Sequence, residues 1–96
     1  MNRKNILDLL AQYKKNKAKE YGIEKMGLFG SVARESADEN SDIDICIKTN
    51  QVDMFALVHL KEELENLFHK KVDIVRVREK MNPYLKKRIE KEAIYV

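Results

Sequence analysis

The chain has 96 residues and a mass of 11.3 kDa, room for a single domain over 1–96 and none for a second. Leu, Ile, Val and Phe supply 27 residues, enough for a packed core, while the one cysteine, Cys46, excludes an internal disulfide or a cysteine-based zinc cluster and leaves oxygen to hold any metal. The net charge of +3 is unevenly spread: residues 1–25 sum to +4, 35–53 to −5 and 70–96 to +5, an acidic centre between basic arms that fits either solvated helix faces or a cation-binding centre whose flanks attract a polyphosphate or nucleic acid.

Ile6, Leu9, Leu10 and Tyr13 recur at helical spacing and predict an amphipathic helix from Asn5 to about Tyr21, stopped near Gly22. Glu24 to Phe29 reads as a strand despite Gly27. Ser31 to Ser41 is rich in turn residues and reads as a loop with at most one helical turn. Asp42 to Ile47 alternates with period two, placing Ile43, Ile45 and Ile47 on one face and Asp42, Asp44 and Cys46 on the other. Leu57, Leu60, Leu64, Leu67 and Phe68 predict a second amphipathic helix between Asp53 and His69, with Glu62, Glu63 and Glu65 facing away.

Lys71 to Val77 is a β-branched run and reads as a third strand. Asn82-Pro83 offers a helix cap and a first-turn proline, and Leu85, Ile89 and Ala93 continue at helical spacing. A short extended Ile94-Tyr95-Val96 closes the chain. The expected class is α/β (α+β): a small mixed β-sheet in the order α-β-β-α-β-α, with helices packed on one face and the other free for a site. No apolar run reaches the ~18 residues of a membrane span, and Met1 to Ile6 lacks a signal-like apolar stretch, so no membrane contact and a cytoplasmic location are expected.

Asp42 and Asp44 lie two residues apart on a strand and point the same way, about 6–7 Å apart at the backbone. Two anions held together are unfavourable unless a cation offsets them. Asp73 is the one acid inside the Lys71–Val77 strand, where aspartate is poorly suited by propensity. If the strands are neighbours, three carboxylates share one face and can bind two Mg²⁺ ions, the arrangement that serves in-line displacement at phosphorus. Gly30-Ser31 ends the first strand, with glycine for close backbone approach and serine for a phosphate.

Gly30-Ser31-Val32-Ala33-Arg34, Ser41-Asp42-Ile43-Asp44 and Val72-Asp73-Ile74-Val75 together resemble the signature of the DNA polymerase β-like nucleotidyltransferase superfamily. The likeness is nearest to its smallest members, the minimal nucleotidyltransferases (MNT domains), and extends to the Asn82-Pro83 helix with Glu92-Ala93-Ile94-Tyr95 at its end. It implies the polymerase β-like fold, with ATP or another nucleoside triphosphate as substrate and Mg²⁺ as cofactor. Carried over, Asp42, Asp44 and Asp73 would be catalytic and ligate the metals, with Asp73 helping to activate the acceptor hydroxyl. Gly30 and Ser31 would hold the β- and γ-phosphates, Arg34 would contact the triphosphate, and Ser41 would shape the nucleotide-side loop.

Minimal nucleotidyltransferases of this type resemble the antitoxin partners of HEPN-domain ribonuclease toxins, some of which transfer AMP to a toxin tyrosine. A protein adenylyltransferase antitoxin is therefore the leading expectation, with a HEPN toxin as partner. Two alternatives stay open: an antitoxin that binds nucleotide and masks its partner sterically, and a small-molecule or RNA-end nucleotidyltransferase acting as a homo-oligomer. Lys86, Lys87, Arg88 and Lys91 are compatible with nucleic acid, although a solvated helix face is the better reading. His59 and His69 lack a ligand set, Cys46 reads as an inert buried thiol, and Tyr84 and Tyr95 read as packing against the last helix.

Overall fold

The computed structural model describes residues 2–50 and 53–96. Helix α1 (Arg3–Tyr21) starts once the Asn2 side chain accepts the Asn5 N–H, and it stops where Gly22 adopts φ 64°. Strand β1 (Ile23–Phe29) leads into a single turn, α2 (Gly30–Ala33), and then β2 (Ile43–Thr49). Helix α3 (Met54–Phe68) is capped by Asp53, whose carboxylate accepts from Phe55 and Ala56 N–H. After β3 (Val72–Arg76), Asn82 caps α4 (Pro83–Glu92) in the same way through Tyr84 and Leu85 N–H, and β4 (Ile94–Tyr95) ends the chain. The predicted order holds, with α2 the one turn allowed in the loop and β4 the short closing strand.

The four strands form one mixed sheet in the order β3-β2-β1-β4. Strand β1 runs antiparallel to β2 and β4, and β2 runs parallel to β3, joined by the α3 crossover. Gly27, which weakens the strand pattern in sequence, lies opposite Tyr95 in the β1–β4 pairing. A Cβ there would come within 2.9 Å of the Tyr95 ring and 3.2 Å of Cys46 Sγ, so glycine admits the tyrosine over the strand.

Ile43, Ile45 and Ile47, with Met26 and Leu28, pack against Ile6 and Leu10 of α1 and Leu60, Leu64 and Phe68 of α3. The opposite face carries Phe29 and Cys46, which are apolar and buried beneath Ile89 of α4. Helices α1 and α3 share one face, whereas α4 covers part of the other, the face expected to stay free, because Phe29 and Cys46 give that face an apolar patch for Ile89. What stays open on that second face is the end where β2 and β3 begin.

Two expectations are corrected here. Glu63 and Glu65 do not face away: Glu63 accepts from Tyr13 at 3.0 Å and Tyr21 at 2.6 Å, and Glu65 accepts from Val72 N–H at 3.1 Å. Lengthening a polar side chain lets a helix flank reach its neighbours, so charge alone does not mark the solvent face. Tyr84 is 81% exposed rather than packed, because it sits in the first turn of α4, away from Ile89. Tyr95 packs on β1 as a strand residue instead of against a helix.

Hydrogen bonds from Tyr21, opposed by burial and joined by those of Tyr13, hold the Glu63 carboxyl below the usual carboxylate range. A carboxyl lowered on folding stabilises the fold above its unfolded pKa and loses that contribution as pH falls through the folded value. Glu63→Gln is therefore expected to lower the thermal midpoint by roughly 5 °C at neutral pH, about 1 kcal/mol. The gap to wild type should narrow as pH falls below the unfolded carboxylate value and close only once the lowered folded-state value has been passed, where both chains carry a neutral side chain; a gap independent of pH in thermal melts would show that the charge is not what matters.

Candidate active site

The parallel pairing of β2 and β3 puts Asp44 directly beside Asp73, and the pairs Ile43–Val72 and Ile45–Ile74 fix that register. Adjacent strands lie about 4.8 Å apart, so the two carboxylates rise side by side from one face. Asp42, expected on the strand, lies just before β2, and its charge acts on Asp44 from there. Asp42 and Asp73 are exposed and Asp44 is partly buried. Among the described residues no cation lies within 4.0 Å of any of the three.

Burial pushes the Asp44 carboxyl above the usual range, and the charges of Asp73 and Asp42 push the same way, against Arg88 and Arg34. The ionised Asp44 is thus disfavoured, by burial first and by the excess of nearby carboxylates second. Oxygen donors with that excess suit a hard divalent cation. Among the described residues no three acidic, histidine or cysteine side chains converge tightly enough to form a finished cage, so the cation would draw the carboxylates together rather than drop into a rigid pocket.

The turn that follows β1 approaches this group from the side. Phe29 pairs with Asp44 across the β1–β2 ladder, and Gly30 comes next with φ 76°. A Cβ on Gly30 would overlap the Asp44 carboxylate, meeting its Cγ at 3.0 Å and its Cβ at 3.2 Å. Glycine is thus needed twice, for the left-handed backbone and for the space Asp44 fills. Ser31 is half-buried, its carbonyl accepts the Ser36 N–H at 2.9 Å, and its hydroxyl has no partner among the described residues. That hydroxyl is free to meet a phosphate oxygen.

Ser41 works within the loop: its hydroxyl accepts from Asp38 N–H at 3.0 Å and its carbonyl accepts from Lys70 at 3.3 Å. Arg34 is held by Glu92, whose two carboxylate oxygens lie 3.0 and 2.9 Å from Nη1. Glu92 and Arg88 carried no local signal of a role, since each is one charge among many on a basic helix. Their spacing of four around buried Ile89 is the pattern that places them on the sheet side of α4. Cys46 is fully buried and burial pushes its thiol up, so it offers no nucleophile despite sharing the aspartate face.

A twinned pair of aspartates, a third before them and a glycine-serine turn pressed against the central carboxylate thus lie together at one end of a mixed sheet. Residues 5–96 match the family described as polymerase beta, nucleotidyltransferase, and the chain belongs to it. It is a minimal nucleotidyltransferase. A candidate protein adenylyltransferase of Methanocaldococcus jannaschii, MJ0126, is 36% identical over 92 residues, covering 95% of this chain and 94% of that one. The protein adenylyltransferase MntA of Thermococcus cleftensis is 30% identical over 92 residues, covering 95% of this chain and 92% of its own.

A solved structure of a candidate minimal nucleotidyltransferase superposes with a TM-score of 0.79 at 29% identity, covering 98% of this chain and 95% of that one. The fold is also similar, with a TM-score of 0.59 at 22% identity, to a chain solved in the complex of the tri-AMPylated HEPN toxin of Shewanella oneidensis with its MNT antitoxin, covering 88% and 69% of the two chains. Among the described residues no helix is long and apolar enough to cross a membrane.

Proposed function

We propose that this chain is a Mg²⁺-dependent protein adenylyltransferase that moves AMP from ATP to a tyrosine hydroxyl of a HEPN toxin, with release of pyrophosphate. The observation that carries the reading is the Asp44–Asp73 pair, level in the β2–β3 register and unneutralised, with Asp42 beside it and Gly30 closing its flank. Relatives at 30% identity or more that carry the adenylyltransferase name support the choice of AMP and of a protein acceptor.

In this reading Asp42 and Asp44 would hold the metals and Asp73 would ligate the catalytic one. Mg²⁺, when bound, neutralises the triphosphate and lowers the pKa of the acceptor hydroxyl. The tyrosine oxygen forms a bond to the α-phosphorus of ATP while the bond from that phosphorus to the pyrophosphate oxygen breaks. The phenolic proton passes to a carboxylate facing the acceptor, for which Asp73 is the exposed one on the edge strand β3. Ser31 and Arg34 steady the departing pyrophosphate, and Ser41 keeps the loop before β2 in shape. Most of the rate comes from positioning and charge, with no covalent intermediate on the protein.

Incubating the chain with its HEPN toxin partner, ATP and Mg²⁺ is expected to add AMP to a toxin tyrosine, read by intact mass and peptide mapping. An unmodified toxin that is nevertheless silenced, with silencing retained by Asp73→Ala, would replace modification by steric masking.

A further inference from the structure

Glu92 stands at the last position of α4, facing the turn after β1. One of its oxygens accepts the Gly30 N–H at 3.3 Å, and both accept from Arg34 Nη1. Arg88, one turn earlier, brings Nη2 to 4.0 Å from the same carboxylate. The Glu92 side chain is 17% exposed, against 44% for Arg34 and 50% for Arg88. A mostly buried anion therefore hydrogen-bonds one half-exposed cation and lies within ion-pair range of a second beside the aspartate site.

Stability alone is a weak reason for this arrangement, since pairs with exposed partners contribute about 0–1 kcal/mol. Geometry is a better one. Arg34 has five N–H donors, and among the described residues only those on Nη1 are engaged. Its remaining donors belong to a planar guanidinium of the kind that takes phosphate oxygens in pairs, and the half-exposed Arg88 beside the same carboxylate adds a second. Both arginines also act electrostatically on Asp44, so their charge reaches the centre of the site. The Gly30 N–H, by contrast, is already occupied by Glu92, which leaves phosphate contact at the turn to Ser31 and the arginines.

We infer that Glu92 is a positioning residue of the nucleotide site, holding Arg34 and Arg88 so that their free N–H donors meet the β- and γ-phosphates of the triphosphate. Glu92 touches no substrate and acts through the two arginines. The inference rests on the nucleotidyltransferase reading above, from which it takes only that the ligand is a nucleoside triphosphate.

The test uses the full chain, with Mg²⁺ and a non-hydrolysable ATP analogue as probe, and Glu92→Gln as the variant. Glutamine keeps the shape and can still accept from Gly30, but it is neutral and loses its grip on two guanidinium groups. Dissociation constants should rise roughly 10-fold, the size of one weakened charge-assisted contact. The far-ultraviolet circular dichroism should stay unchanged, and in turnover KM for ATP should rise more than kcat falls. Arg34→Ala should add little in the Glu92→Gln background, because both changes remove one linkage.

Unchanged affinity in folded Glu92→Gln, additive effects with Arg34→Ala, or tighter binding than wild type would each overturn the inference. The last result would make Glu92 a competitor of the phosphates. If Glu92→Gln does not fold, Arg34→Lys and Arg88→Lys carry the test, since they keep charge but lose the fork; equal affinity in both overturns it. No binding by the wild-type chain is a separate result that overturns the nucleotidyltransferase reading itself.

Discussion

Asp42→Asn together with Asp44→Asn is expected to abolish transfer of α-labelled AMP, by at least ~10³-fold, since losing a single preorganised charge contact at such a site already lowers kcat by roughly 10²–10³. The protein should remain folded, and the physical reason is specific. The Asp44 carboxyl is raised by burial and then by Asp73. An acid raised on folding destabilises the fold at pH above its unfolded pKa, so neutralising it removes a penalty. Without metal, the double variant should melt at or above the wild-type midpoint. Mg²⁺ should raise the wild-type midpoint by mass action and leave that of the variant where it was. Retained transfer, or a midpoint shift by Mg²⁺ equal to wild type, would remove Asp42 and Asp44 from the site.

The same residues show why so much of the site could be read from the chain. Asp42, Asp44 and Asp73 announce themselves because each breaks a local rule: carboxylates on a strand of isoleucines, and an aspartate inside a β-branched run. Their meeting depended on one unread fact, the parallel pairing of β2 with β3, which an intervening helix of crossover length made the natural topology. Gly30 was legible as a turn, although not the overlap with Asp44, which is a distance between segments and leaves no trace in composition.

Glu92, Arg88 and Glu63 were less legible for a related reason. Their partners, Arg34, Asp44 and the tyrosines of α1, lie 58, 44 and at least 42 positions away along the chain. A charged residue on an amphipathic helix is solvated by default, and only the tertiary neighbour distinguishes a clamp from a surface charge. Helix α4 on the second face had the same ambiguity: Ile89 gave it one apolar side, but which face of the sheet that side covers is decided by Phe29 and Cys46.

Gly30→Ala should separate the cost to the fold from the cost to the chemistry. A left-handed φ of 76° makes alanine unfavourable by roughly 1–2 kcal/mol. The added methyl also overlaps the Asp44 carboxylate, and the nearest relief is rotation of that side chain, since Phe29 and the β1–β2 ladder fix the backbone around it. Relief of the overlap thus moves a proposed metal ligand off its line. A displacement near 1 Å in such a site lowers rate by about 10²-fold, so transfer should fall by that much or more while the melting temperature drops by roughly 5–10 °C and the protein stays folded at the assay temperature. Gly22→Ala is the matched control: it places alanine at φ 64°, at the opposite end of β1 from the aspartates. It should show a similar drop in melting temperature and transfer AMP at close to the wild-type rate per folded molecule. Equal loss of transfer in both variants would mean that backbone strain, and not the Asp44 contact, explains Gly30.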